Sequence, residues 1–477
     1  MKVLLINPPL FPIDRYGSDL ARVGPVTEPL GLAFVAAALE KRGDEVEILD
    51  TIALRYRRDD IRNHIKGKNY DVVGITMLTP MYLVAMEVAR LVKSLGDNIK
   101  IVVGGAHPTL MPRETMEENP EIDFAVIGEG EETVVELIDA LETGSPLSQV
   151  RGIAYRESGE VKITELRPFI QDLDTTPIPA YHLLPMHLYR PTAHSYQQLP
   201  SYNVMTVRGC PFSCIYCSQF FGKKARYPSA KRIVQEMNLL IEKYGAKELH
   251  LQGDTFTANK KYVKELCQEI VNNGLHQKIK WQCETHTRTV NRELLEAMYE
   301  AGCRQISYGV ETGSERLMKL IRKQTTREIV SEVFQMTKDA GIMIRAFFML
   351  GLPTETREES QQTIKFAKEL DPTWAQFTVT TPYPMTELYE LAKKDGTLKS
   401  FRWEDYQSWA GFANSELVYT PAGRTSVEIK KLQPYALRSF YLRPKIIIRH
   451  LRLMKSWTIL KKYLNGGYLL LRSLLRR

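Results

Sequence analysis

Three cysteines within eight residues constrain this 477-residue chain more than any other feature: Arg208-Gly-Cys-Pro-Phe-Ser-Cys-Ile-Tyr-Cys217 spells CxxxCxxC, with thiols at Cys210, Cys214 and Cys217. Thiols this close share one loop, and a rigid frame must aim that loop. Three thiolates can each take one iron of a cubane iron–sulfur cluster, which leaves the fourth iron without a protein ligand in the run. Four-cysteine sites carry electrons, whereas an open coordination position is where chemistry happens, as at an open zinc site. The competing readings are a zinc knuckle or a group of buried cysteines. Zinc asks for a fourth Cys or His at ligand spacing, and no histidine lies between His194 and His250.

Size and composition allow two or three domains of a globular protein, with 44% hydrophobic and 25% charged residues. Cys267, Cys283 and Cys303 are scattered singly, which reads as small buried hydrophobes in a reducing cytoplasm rather than a disulfide framework. The opening apolar run ends at Pro8-Pro9, too short for a signal peptide, and no apolar stretch reaches a membrane span. The net charge of +8 belongs to the tail: residues 438–477 carry eleven Lys and Arg and no acid, which leaves 53 basic against 56 acidic residues before them. A nucleic-acid partner is therefore not expected, since that would want a basic face on a folded domain.

Residues 1–147 alternate strands (3–6, 45–49, 72–76, 100–103, 124–127) with helices (31–42, 84–94, 131–141), the pattern of a parallel sheet covered on both faces. Ligands of such sheets sit beyond the carboxyl ends of the strands, here at Asn7-Pro-Pro, Thr76–Thr79, Gly104-Gly-Ala-His107 and Gly128-Glu-Gly130. A hairpin around Ser158-Gly159 and a proline-rich stretch follow. Alternation resumes with strands at 203–207, 248–252, 281–284, 305–309, 344–350 and 375–380, and helices at 229–244 and near 260–272, 291–301, 326–340 and 357–370. That repeat predicts a β/α barrel, whose chemistry gathers at the C-terminal strand ends.

The cysteine spacing and Tyr216 just before the third cysteine resemble the radical S-adenosylmethionine enzymes. Glu28-Pro-Leu-Gly-Leu-Ala, Gly43-Asp-Glu-Val-Glu-Ile-Leu-Asp50, Val102-Val-Gly-Gly-Ala-His-Pro108 and Gly128-Glu-Gly-Glu131 resemble the cobalamin-binding domain that precedes many of them. The resemblance implies an α/β chain in four parts. These are a Rossmann-like (flavodoxin-like) cobalamin-type domain at 1–147, a hairpin and linker at 148–198, a partial (β/α) barrel radical core at 199–400, and a C-terminal region at 401–477 with a basic helical tail.

By the same resemblance the cofactors are a 4Fe-4S cluster on Cys210, Cys214 and Cys217, S-adenosylmethionine on its open iron, and cobalamin. Gly253 and Asp254 would hold the methionine amino group, Arg288 the carboxylate and Glu311 the ribose hydroxyls, with Tyr216 against adenine. Thr76, Gly104, Gly105, Gly128 and Glu129 would line cobalamin. One departure matters: where related domains carry Asp-x-His-x-x-Gly, this chain reads Pro12-Ile-Asp-Arg-Tyr-Gly17, so no histidine would lie below the cobalt.

The expected reaction is methylation of an unactivated carbon, with an external donor such as flavodoxin or ferredoxin supplying electrons. A cyclisation, desaturation or carbon–carbon coupling without methyl transfer stays open, as does a non-catalytic cobalamin or redox sensor. A tRNA methylthiotransferase would carry cysteines N-terminal to the core, and residues 1–209 hold none. In the tail, Lys445, Arg449, Arg452 and Ser456 fall on one helical face, and Ile447, Leu451, Met454 and Trp457 or Thr458 on another, before Gly466-Gly467 and Arg476-Arg477. A basic amphipathic helix of this kind predicts either an anionic membrane contact, with a lipid or isoprenoid substrate, or a helix packed on the barrel. The expected location is cytoplasmic, with or without that membrane contact.

Overall fold

Two runs of strand–helix alternation give two parallel sheets in the computed structural model, which describes residues 1–14, 24–96, 98–192, 195–408 and 416–453. The described chain divides into one unit of residues 1–11, 26–189 and 219–222, and a second of residues 12–25, 190–218 and 223–477.

The first unit is built on β1 (Lys2–Asn7), β2 (Glu45–Asp50), β3 (Val72–Thr76), β4 (Lys100–Gly104), β5 (Phe124–Val126), β6 (Ile153–Glu157) and β7 (Glu160–Ile163). Their order is β2-β1-β3-β4-β5-β6-β7, parallel through β5 and antiparallel beyond. The hairpin expected as part of a spacer is therefore paired to the edge of this sheet. Strand interiors such as Val3–Ile6 and Ile101–Val103 are buried, as a sheet covered on both faces requires. At the carboxyl ends of β1 and β2, Asp50 accepts from Asn7 Nδ2 (2.9 Å), Tyr189 Oη (2.8 Å) and two backbone N–H groups. Burial pushes the Asp50 carboxyl up, and those donors pull it back.

The second unit carries β8 (Ser201–Val207), β9 (Glu248–Gly253), β10 (Lys280–Thr285), β11 (Cys303–Glu311), β12 (Met343–Leu350) and β13 (Trp374–Val379) in sequential, all-parallel order. Right-handed crossovers in one direction put every connecting helix on one face and leave the other concave, the shape of a partial barrel. Five of those helices start on a side-chain cap, at Ser229, Asn259, Asn291, Thr326 and Thr356, each accepting from the N–H three residues on.

Side chains alternate accordingly. Leu249, Leu251, Trp281, Ile306, Tyr308 and Phe348 are buried toward the helices, Tyr308 against Phe334 at 5.6 Å. His250, Gln252, Glu284, Phe347 and Gln376 face the concave side half-buried. Cys267, Cys283 and Cys303 are not scattered in space: they meet behind β10 and β11, where burial holds their thiols protonated at Cys267 and Cys283.

The tail helix packs on the barrel, as one of the two expectations has it, but not by the face expected. Helix Pro444–Leu453 docks on the barrel through Ile446 and His450, the latter ring 4.4 Å from Trp374. Lys445 (2.9 Å), Arg443 (3.3 Å) and Arg449 all pair with Asp371, so two cations of the expected basic face are tied to the barrel, Lys445 while still 72% exposed. Ile447, Ile448 and Leu451 are exposed, and so are Lys445 and Arg452. Met454, Ser456, Trp457, Thr458, Gly466, Gly467 and the terminal arginines lie outside the described residues. Among the described residues no helix is long and apolar enough to cross a membrane.

Candidate active site

The cysteine loop leaves the C-terminal end of β8 and is closed at its base by two backbone hydrogen bonds between Arg208 and Arg226 (3.0 and 2.9 Å). Gly209 N–H donates to Asp254 Oδ2 at 2.7 Å, which ties the loop's first residues to the end of β9. Phe212, between the first two cysteines, stacks on His286 at 3.9 Å and 18°. That imidazole has one tautomer available. Its Nδ1 accepts from Arg288 N–H (3.2 Å), and its Nε2–H donates to the Lys323 carbonyl (2.8 Å). Burial first, then Lys323, lowers its pKa to about 3, so it stays neutral and acts as a rigid prop beneath the loop.

Cys210 Sγ lies 3.0 Å from Thr255 Oγ1 and Cys214 Sγ 3.7 Å from the Arg322 carbonyl, while Cys217 is exposed. Burial raises the Cys214 thiol and the Lys323 ammonium pulls it back down, a setting that favours thiolate once a cation binds. Among the described residues no group of three His, Cys, Asp or Glu side chains converges on one ion position. A cubane asks for something else, one sulfur per iron with the sulfurs held apart, and three thiols on one clamped loop fit it.

Behind the loop stands a buried network. Lys323 Nζ donates to Glu311 Oε1 (2.9 Å) and Tyr216 Oη (3.2 Å), and Tyr216 Oη–H donates to the same Glu311 oxygen (3.1 Å). The two charged side chains are 7% and 11% exposed, so the pair is screened by little water. Its backbone is held in an uncommon conformation: Glu311, Arg322 and Gln324 have φ of 68°, 54° and 54°. β11 breaks register with β12 between Gly309 and Glu311, a bulge that re-aims the carboxylate. Gly309 leaves the room this needs, since a Cβ there would meet Glu311 Oε1 at 2.3 Å. Left-handed non-glycine residues around one lysine are stored strain of the kind functional sites keep.

The residues expected from sequence are placed unevenly. Gly253 and Asp254 lie at the end of β9 beside the loop, with one Asp254 oxygen committed to Gly209. Tyr216 packs on Ile215, Leu317, Ile321, Leu352 and Leu388 with its hydroxyl in the buried network, so its ring is partly a core group. Arg288 is exposed and donates to the Gln324 carbonyl (3.3 Å), away from Glu311. Lys323 is the cation found there instead. It lies outside every short motif, and only its distance from the cysteine loop along the chain hides it. His286 was equally invisible.

In the first unit, the loops after β3, β4 and β5 are stitched into one rim. Met77 N–H donates to the Gly104 carbonyl (2.7 Å), His107 N–H to the Met77 carbonyl (3.0 Å), and Gly128 N–H to Thr109 Oγ1 (3.0 Å). Thr76 ends β3 and Gly104 ends β4 on that rim. Gly105 has φ +109° and a Cβ there would stand 2.9 Å from the Met77 carbonyl, while one at Gly128 would project into open space. A rim of bare backbone suits a broad flat ligand. Glu129 is turned elsewhere, its Oε2 accepting from Ile170 N–H at 2.7 Å. His107 is buried at a pKa of about 4 through desolvation, near Thr79 Oγ1 (3.2 Å), and serves the packing.

The chain matches the B12 binding domain over residues 18–138 and the Radical SAM superfamily over residues 204–367. It is 39% identical over 452 residues to an uncharacterized methyltransferase of Pyrococcus horikoshii, covering 94% of each chain. It is 30% identical over 399 residues to the anaerobic magnesium-protoporphyrin IX monomethyl ester cyclase of Cereibacter sphaeroides, covering 82% of this chain and 63% of that one. Among solved structures, the radical S-adenosylmethionine methyltransferase TsrM of Kitasatospora setae, with cobalamin and a 4Fe-4S cluster bound, aligns with a TM-score of 0.72 at 18% identity, covering 93% of this chain and 89% of that one. At that identity the likeness speaks for the fold.

Proposed function

The chain belongs to the radical S-adenosylmethionine enzymes that carry a B12-binding domain, and on that premise we propose that it transfers a methyl group to an unactivated carbon. The observation that carries this reading is the likeness, at 39% identity over 94% of each chain, to the uncharacterized methyltransferase of Pyrococcus horikoshii. Cobalamin, a 4Fe-4S cluster and S-adenosylmethionine are the cofactors of this enzyme, and when bound they supply the methyl carrier, the electron relay and the radical source.

The chain's own residues hold and orient these groups. Cys210, Cys214 and Cys217 ligate the cluster, and the exposed Cys217 marks the edge an external flavodoxin- or ferredoxin-type donor approaches. Gly253 and Asp254 would hold the methionine amino group through a charge-assisted contact. Glu311 would accept from the ribose hydroxyls, and Lys323 beside it would supply the cation for the carboxylate where Arg288 was expected. The rim of Thr76, Gly104, Gly105 and Gly128 would carry cobalamin. A lipid substrate leaned on a basic tail face whose Lys445 and Arg449 are occupied by Asp371, and it forms no part of this proposal.

Anaerobic reconstitution with extract from a deletion strain, followed by untargeted mass analysis, tests the reaction. Methyl transfer predicts a product heavier by one methylene, with both 5′-deoxyadenosine and S-adenosylhomocysteine formed. A product lighter by two hydrogens, with 5′-deoxyadenosine alone, would favour the ring-closing or desaturating alternative that the cyclase relatives keep open. An intact cluster without any cleavage would point to a sensor.

The cobalamin rim has its own test. Gly105→Ala forces a side chain into left-handed backbone and onto the Met77 carbonyl, at a cost of about 1–3 kcal/mol of local strain. Absorbance titration with hydroxocobalamin should show binding weakened about fivefold or more, by that energy. Unchanged affinity would place the cofactor elsewhere.

A further inference from the structure

Helix Pro444–Leu453 turns only a narrow stripe to the barrel. Ile446 and His450, four residues apart on one face, are its buried side chains. At 3.6 residues per turn, Ile447, Ile448 and Leu451 stand away from that stripe, 44%, 49% and 56% exposed. Three large aliphatic side chains on one short helix form a patch, and an apolar patch with a charged border marks a contact surface. The border is cationic, with Lys445 and Arg452 exposed on the same helix. Behind it, Arg443, Lys445 and Arg449 share the single carboxylate of Asp371. Burial pushes that carboxyl up, but Lys445 and Arg449 outweigh it and keep it ionised, so it supplies one negative charge and no more. Three cations on one anion leave this corner with a surplus of two positive charges. Residues 454–477 continue the same composition, with six Lys and Arg, no acid, and Trp457, Tyr463 and Tyr468.

We propose that the outer face of helix Pro444–Leu453 docks on the anionic surface of a lipid bilayer. Ile447, Ile448 and Leu451 enter the boundary between headgroups and acyl chains with the helix lying in the plane, and Lys445 and Arg452 meet the lipid phosphates. The composition beyond Leu453 suits the same surface, since Trp and Tyr favour the headgroup level and basic residues an anionic leaflet. Three aliphatic side chains are too few for permanent anchoring, so the contact is reversible and weakens as salt screens the charges. A second copy of this chain suits the face less. A two-fold contact would set two corners of surplus positive charge against each other, and a helix this short falls well below the about 20–30 residues a side of a stable dimer. The contact sets where the enzyme works and assigns no lipid as its substrate, so it stands apart from the reaction proposed above.

Flotation of the full-length reconstituted protein tests the surface, with vesicles of phosphatidylglycerol and phosphatidylcholine against vesicles of phosphatidylcholine alone. Binding to the anionic vesicles is expected, reduced by added salt and weak on the neutral ones. Ile448→Glu with Leu451→Glu puts two carboxylates into the patch and should weaken binding about tenfold or more. The milder Ile448→Ser with Leu451→Ser should weaken it in the same direction, so a folding defect in one form does not decide the matter. Val427→Glu adds a carboxylate at an exposed aliphatic on the far end of the preceding helix, Ser426–Tyr441, and should leave binding unchanged. Iron content reports folding, and reductive cleavage of S-adenosylmethionine without vesicles should be equal in all four proteins. Equal flotation of wild type and both patch variants, equal loss in Val427→Glu, or equal binding to neutral and anionic vesicles would overturn the docking surface. So would a wild type that floats with neither, and a dimer in sedimentation that the patch variants lose would assign the face to a second copy instead. Absent cleavage in the wild type would bear on the radical reading alone, because flotation needs no turnover.

Discussion

Replacing Cys214 with alanine is expected to take reductive cleavage of S-adenosylmethionine below detection, and Cys210→Ala and Cys217→Ala should do the same. Each substitution removes one of three protein anchors of a cubane whose fourth iron has none in the loop. Iron content and the broad visible absorption of the cluster should fall together with 5′-deoxyadenosine formation. The internal control is the second set of cysteines. Cys267, Cys283 and Cys303 are buried behind the sheet, protonated by desolvation at the first two, and in contact with helices rather than with the loop. Alanine at any of them should leave cluster and cleavage intact, at a packing cost of about 1 kcal/mol for a sulfur-sized void. Retained cleavage in Cys214→Ala, or cluster loss in Cys283→Ala, would mean that the wrong thiols have been assigned.

That contrast also shows where the sequence is informative. Cys210, Cys214 and Cys217 are legible because their geometry is local, set by spacing within one loop. The strands are legible for a similar reason: β-branched runs of five or six residues bounded by capped helices specify themselves, and ends expected at 203–207 or 305–309 fall at Ser201–Val207 and Cys303–Glu311. Gly253, Asp254 and Glu311 follow from their positions at strand ends, where barrel chemistry collects. Lys323 is different. It joins the site only through tertiary structure, by a turn that folds back on Glu311. Arg288 follows a strand as the pattern asks, and the 3₁₀ turn Thr287–Thr289 leaves it exposed, donating to the Gln324 carbonyl. The tail misleads for a third reason, since helical spacing alone cannot say that Asp371 lies within reach of three of its cations.

The Glu311–Lys323 pair allows ligand handling to be separated from folding. Lys323→Met strands a carboxylate that is 11% exposed, and Glu311→Gln strands an ammonium that is 7% exposed. Each single substitution should destabilise the second unit by about 3–5 kcal/mol, because an unmatched buried charge costs more than the pair returns. The double variant, Glu311→Gln with Lys323→Met, removes both charges and keeps the volumes. Its stability in urea should recover most of that loss instead of showing the sum of the two, the sign of coupled positions. If the pair served only the fold, binding of S-adenosylmethionine by equilibrium dialysis would recover along with stability. The expected result is the reverse: a stable, iron-loaded double variant that binds S-adenosylmethionine at least about tenfold more weakly, because a carboxylate for hydroxyls and a cation for a carboxylate have both gone. Parallel recovery of stability and binding would reduce Glu311 and Lys323 to a structural ion pair. Recovery of stability alone assigns the strained backbone at Glu311, Arg322 and Gln324 to the site rather than to the barrel, since the fold then stands without the charges that the strain holds in place.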